Sequence, residues 1–152
     1  MGQPEPVGQY HLMLPTVFNK HGTDRLTDWK EFRDSLEVSD TPFEDVAKFW
    51  SRAPFVSPYL NPQNPSEWPD PWHLVLDNHL DDLAIALGML YTIKLTRRFM
   101  DSKCEIHTSM FTKETRYMLV VNKQHVLNLQ YGGVVNFNSL DQTETILVWS
   151  KN

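Results

Sequence analysis

The sequence predicts an α+β fold: a central buried helix packed on an antiparallel sheet of about four to five strands, with N-terminal helices and a Pro-rich wrap alongside. Three observations predict it. From His79 to Leu95 the chain is apolar at nearly every position, and a helix with no polar face belongs inside a protein. After Asp101 the apolar period changes from helical spacing to two, the spacing of a half-buried strand. Helical segments come first and strand segments follow in a run, which favours helices packed on a strand meander over alternating βαβ units.

The 152 residues suit a single domain, 1–152. Within it fall an N-terminal arm (1–25), a helical pair (26–53), a Pro-rich wrap (54–71) and a helix-plus-sheet core (72–152). Pro4, Pro6, Gly8 and Pro15 break any helix in the arm, and Asn19 to Asp24 reads as a turn. The first helix starts near Thr27, with Thr27 or Asp28 as N-cap, and sets Trp29, Phe32 and Leu36 on one face. The second starts at Thr41-Pro42-Phe43-Glu44, a capping box with proline at the first helical position, and ends before Pro54. Six of the ten prolines then fall between Pro54 and Pro71, so neither a helix nor a central strand survives there. Interleaved Phe55, Tyr59 and Trp68 favour an ordered wrap over the domain, a flexible linker being the alternative.

Asp70-Pro71 opens a helical turn through Leu76, and Asn78 caps the long helix. Asp81 and Asp82 in its first turn, and Lys94, Arg97 and Arg98 near its end, complement the helix dipole. Strands follow at Cys104 to Phe111, Arg116 to Val121, His125 to Gln130, Val134 to Phe137 and Thr145 to Trp149. Asn122-Lys123 is a tight hairpin turn between the second and third. Ile146 to Trp149 is a consecutive apolar run, either a fully buried strand or one that pairs with a neighbouring chain.

Composition narrows the function. A net charge of -5 argues against general nucleic-acid binding, which needs clustered Lys and Arg. No run of eighteen apolar residues exists to span a membrane, and Met1 to Pro6 has no signal-peptide character. The expectation is a soluble protein, cytoplasmic in a host cell or part of a virion. The lone Cys104 excludes an internal disulfide framework and a Cys-rich zinc site.

The helix start Asn78-His79-Leu80-Asp81-Asp82-Leu83-Ala84 resembles the motif that opens the central helix of transglutaminase-like cysteine enzymes, with Leu80 at the cysteine position. Arg116 to Val121 is similar to the family's His-strand, with Arg116 where the histidine would stand. Val126-Leu127-Asn128-Leu129 is similar to the Asp-strand, with Asn128 at the acid position. The resemblance covers roughly residues 76–137 and implies a degenerate site. In that family the helix dipole stabilises a thiolate, a histidine takes its proton and an acid orients the ring. Leu80 has no nucleophilic atom, and Arg116 cannot act as a base because guanidinium keeps its proton. The whole chain also resembles small, uncharacterised proteins of tailed bacteriophages, through Pro69 to Trp72, Ala86 to Thr92 and a valine-rich sheet.

Other candidates carry bland alternatives beside them. Cys104 and His107, three apart on a strand, point to opposite faces and read as a buried thiol and a surface histidine. His73, Asp77, His79, Asp81 and Asp82 could hold Zn²⁺ or Fe²⁺, but they straddle a helix break, so capping carboxylates and satisfied histidines are favoured and no metal or other cofactor is expected. Trp50, Tyr59, Trp68 and Trp72 are either interface anchors or a self-packed cover. The binding candidates are therefore Asp81, Asp82, His79, Trp68 and Trp72.

The resulting expectation is a non-enzymatic structural or interaction protein on a degenerate transglutaminase-like scaffold, with a protein partner or a second copy. It carries no nucleic acid or membrane partner. The alternatives are a cysteine-type acyl transferase or hydrolase, a metal-dependent hydrolase, and a small-ligand binding module.

Overall fold

The structure, a computed structural model, describes residues 18, 22–53, 60–76, 80–111, 114–130, 132–140 and 143–148. Among the described residues four α-helices with defined bounds precede a five-stranded antiparallel sheet, so the fold is α+β as expected. The helices are α1 (Gly22–Leu36), α2 (Pro42–Trp50), α3 (Pro71–Leu76) and α4 (Asp82–Lys94). The strands are β1 (Cys104–Phe111), β2 (Glu114–Val121), β3 (His125–Leu127), β4 (Val134–Asn136) and β5 (Glu144–Val148), in the spatial order β4-β3-β2-β1-β5. Among the described residues no helix is long and apolar enough to cross a membrane.

Every residue of α4 from Leu83 to Ile93 is buried, because the helix lies between the other helices and the sheet. Gly88 is where α2 comes closest. A Cβ there would lie 2.4 Å from Trp50 Cη2, so the indole occupies the space that any side chain would need. One hydroxyl serves the polar atoms of this layer. Thr92 Oγ1 accepts the indole N–H of Trp29 (3.0 Å) and of Trp50 (2.9 Å), and donates to the Gly88 carbonyl (2.7 Å). A hydroxyl has one proton and two lone pairs, and all three are used.

Several helix starts differ from the sequence expectation. α1 begins at Gly22, so Thr27 and Asp28 lie inside it. The hidden signal is Arg25, only 1 % exposed, which extends the buried stripe of Trp29, Phe32 and Leu36 by one turn. Its guanidinium donates to the carbonyls of Phe18 and Val75 and so offsets the cost of burying a charge. At α2, Thr41 is the N-cap residue but makes no side-chain cap bond. Its hydroxyl donates to Asp45, so the Glu44 capping box does not form. α4 begins at Asp82 with Asp81 as N-cap, its carboxylate accepting the Ala84 N–H at 2.8 Å. The expected cap, Asn78, lies outside the described residues.

The described part of the Pro-rich segment is folded onto the domain. Leu60 and Trp68 pack against the main core, the Trp68 indole donates to the Asn61 carbonyl, and Tyr91 donates its hydroxyl to the Pro69 carbonyl. Asn122 and Lys123 both adopt left-handed backbone (φ 56 and 54) at the centre of a tight turn that the Gln124 N–H closes on the Val121 carbonyl, so three residues connect β2 to β3. β3 stops at Leu127, three residues short of expectation, because Asn128 is left-handed at φ 70 and bends the chain out of the ladder.

β4 and β5 lie on opposite edges of the sheet, so the chain between them must pass over β3, β2 and β1. Phe137 and Leu140 of this crossover pack with Met118, Val120 and Val126 on the face of the sheet away from α4. The sheet is therefore buried on both faces. β5 is an edge strand and not a fully buried one. Both Ile146 and Leu147 reach the main core, because the register slips between Ile106 and His107 where β1 pairs with β5.

Candidate functional site

The residue that carries the start of α4 onto the sheet is Asp82. Its Oδ2 accepts Arg116 Nε (3.0 Å) and the Tyr117 backbone N–H (2.8 Å), and its Oδ1 accepts Asn128 Nδ2 (3.0 Å). The Asn128 amide also reaches the carbonyls of Asp82 (3.1 Å) and Tyr117 (2.9 Å). Arg116 Nη2 closes the ring by donating to the Asn128 carbonyl (2.7 Å). Arg116 stands near the start of β2 and Asn128 just past the end of β3. The antiparallel pairing of those strands brings them side by side, and the left-handed turn at Asn128 aims its amide at the helix.

The structure thus brings Arg116 and Asn128 together, but through Asp82. Leu80 precedes the N-cap, is 0 % exposed and belongs to the main core. Asp81 is the helix cap, and its second carboxylate oxygen accepts the Leu60 N–H, which ties the wrap to the helix. Beside the clamp opens a cleft of about 420 Å³, lined by Trp50, Ile85 and Met89 on its apolar side and by Asp82, Arg116 and Asn128 on its polar side. Leu80 is not part of that wall.

The remaining candidates are dispersed. Trp68 is half-buried in the wrap, whereas Trp72 is 48 % exposed on α3. His73 is exposed and bonds Asp70 one turn earlier, at 2.8 Å. His79, Asp77 and Tyr59 lie outside the described residues. Among the described residues no three His, Cys, Asp or Glu side chains gather to hold a metal ion. Cys104 is fully buried on the α4 side of β1, and burial pushes its thiol up to about 12. A thiol in that state does not supply thiolate near neutral pH.

His107 does lie on the opposite face from Cys104, but it is buried, not a surface residue. It forms a polar cluster that sequence reasoning missed. Its Nε2 meets Glu105 Oε1 (3.1 Å) and Thr145 Oγ1 (3.2 Å), and its Nδ1 meets Thr143 Oγ1 (2.7 Å). An ionised carboxylate can only accept, so Nε2 carries the proton facing Glu105. Lys123 lies 3.3 Å and Lys103 3.9 Å from the Glu105 carboxylate. Burial alone would raise the Glu105 carboxyl, but the His107 and Lys123 contacts outweigh it and hold the group below its ordinary value. Phe137 stacks edge-on against the imidazole. In the sequence, Glu105 and His107 alternate with apolar Cys104 and Ile106 and look like a solvent face; only the crossover makes them interior.

No protein-family model matches this chain, nor does any curated protein or solved structure.

Proposed function

We propose that this chain is a non-catalytic structural or interaction protein, built on a degenerate transglutaminase-like arrangement and serving a bacteriophage virion or its assembly. The observation that carries the non-catalytic part is the Asp82 clamp. At the junction of helix and sheet, both carboxylate oxygens are taken by Arg116, Tyr117 and Asn128. The neighbouring cation cannot accept a proton, and the amide is neither nucleophile nor base. The arrangement suits holding α4 against β2 and β3, with chemistry replaced by mechanical connection. The bacteriophage setting is supported only by the sequence resemblance.

Thiol labelling and metal content test this together. Native protein should react slowly with iodoacetamide at neutral pH, and the purified chain should carry no stoichiometric zinc or iron. Rapid labelling lost in Cys104→Ser, or one equivalent of bound metal, would overturn the proposal.

The cleft beside Arg116 favours a second reading, a binding module for a small ligand with an apolar body and a hydrogen-bond acceptor. A thermal-shift screen of metabolite classes should then find one that raises the midpoint of wild type and not of Arg116→Gln.

A further inference from the structure

We propose that the cleft beside Arg116 binds a small organic monocarboxylate, with its carboxylate on the end edge of the guanidinium and its apolar body against Ile85 and Leu129. This rests on the small-ligand reading of that cleft and deepens it by naming the ligand class.

The guanidinium is set in place before any ligand arrives. It offers five N–H groups in one plane. Along its side edge, Nε donates to Asp82 Oδ2 (3.0 Å) and Nη2 donates to the Asn128 carbonyl (2.7 Å). Those two bonds fix the plane. They leave the end edge, made of Nη1 and the second Nη2 proton, without a partner among the described residues. The Arg116 side chain is 29 % exposed and lines the cleft. Because the clamp has already ordered it, a ligand that uses the end edge meets a smaller entropy cost than one that must gather a loose arginine.

The chemistry of that edge selects a carboxylate. Two parallel N–H groups match two carboxylate oxygens as a bidentate pair. A neutral amide brings one acceptor oxygen and turns its own N–H toward another donor. A dianion such as phosphate is disfavoured, because the Asp82 carboxylate already sits on the other edge of the same guanidinium. A second cation stands at the rim. A Cβ on Gly132, which lines the cleft, would lie 3.9 Å from Lys48 Cγ, and Lys48 is exposed with no ion pair among the described residues. Asp82 offsets Arg116, so Lys48 leaves a positive charge over for one negative group. Apart from Asp82 and Arg116 no charged residue lines the cleft; half-buried Leu129 and buried Ile85 supply apolar wall above the Trp50 and Met89 layer. At about 420 Å³ the space lies at the small end of ligand pockets (~300–1,000 Å³), which suits one ring or a short chain.

Amide chemical-shift titration of the full, isotope-labelled chain tests this, with 4-phenylbutanoate as the probe and 4-phenylbutanamide as its neutral twin. The expected result is saturable shifts at Ile85, Tyr117 and Gly132, with the acid binding at least ~tenfold more tightly than the amide. Arg116→Gln should keep a folded spectrum and lose that preference. The carboxylate assignment would be overturned by an amide that binds as well as the acid, by inorganic phosphate moving the same signals at lower concentration than the acid, or by a folded Arg116→Gln that keeps the preference. Each of those outcomes leaves the small-ligand reading standing. If neither probe, nor any compound of the metabolite screen, moves the cleft signals, both fall together. Should Arg116→Gln not fold, the comparison of acid with amide on wild type decides.

Discussion

The two faces of the sheet are buried to the same degree by opposite means. Toward α4, Cys104, Ile106, Leu119, Val121 and Leu127 form a face without a charge. Toward the crossover, Met118, Val120 and Val126 surround a glutamate and a histidine that are 4 % and 3 % exposed. The first face is held by volume and tolerates no extra atoms. The second is held by partners and tolerates no unpaired ones. Burial alone therefore does not say how a layer fails, because a packed layer fails by overfilling and a bonded layer by losing one of its members.

The largest effect should come from overfilling the apolar layer that α4 forms with α2, behind the first face. Gly88→Leu must displace the Trp50 ring, and urea unfolding should show a loss at or above the top of the ~1–3 kcal/mol range of overpacked cores. A neutral result would mean that this layer has slack. The two faces should also fail at opposite ends of the pH scale. Cys104 and Tyr91 on the α4 side are both raised to about 12, chiefly by burial, so the unfolded chain loses these protons first. Their contribution is complete below pH ~8 and declines by up to ~1.4 kcal/mol per pH unit for each group as pH climbs from its unfolded value toward its folded one. Cys104→Ala should flatten part of that alkaline limb in pH-dependent unfolding. Glu105, held low, contributes above the ordinary carboxyl range and is lost as pH falls through its folded value.

Single substitutions sharpen the contrast further. Glu105→Leu or His107→Leu each strands a buried partner and should cost ~1–3 kcal/mol, while the double variant should cost less than the sum. Strict additivity in that double-mutant cycle would show that the two side chains act independently. The smallest change expected is Arg116→Gln, about 1 kcal/mol by thermal unfolding. The Asp82–Arg116 pair is partly solvated, and Asp82 keeps the Tyr117 and Asn128 donors.

Much of the fold was legible because its signals are local. The apolar run of α4, the switch to period two and the Asn122-Lys123 turn all follow from neighbouring residues. The misplaced boundaries are those where a polar residue does an apolar residue's work or a long-range contact decides. Arg25 hid the first turn of α1, and Asn78, a good cap by type, drew the expected start of α4 away from Asp81, which caps it. That shift of the helix start explains the site: Arg116 and Asn128 are adjacent through strand pairing, but the side chain that reaches them is Asp82, two residues after Leu80. Glu105 and His107 were unreadable as interior residues because period-two polarity normally marks a wet face, and the crossover that dries it comes some thirty residues later.

The Thr92 hydroxyl carries a consequence for how the helices are aligned. Its single proton is committed to its own helix, and its two lone pairs are shared between indoles from α1 and α2. Sliding either helix one turn along α4 would leave an indole N–H stranded in a dry interior, so this oxygen works as a registration pin for three rods whose greasy surfaces would otherwise pack at several offsets.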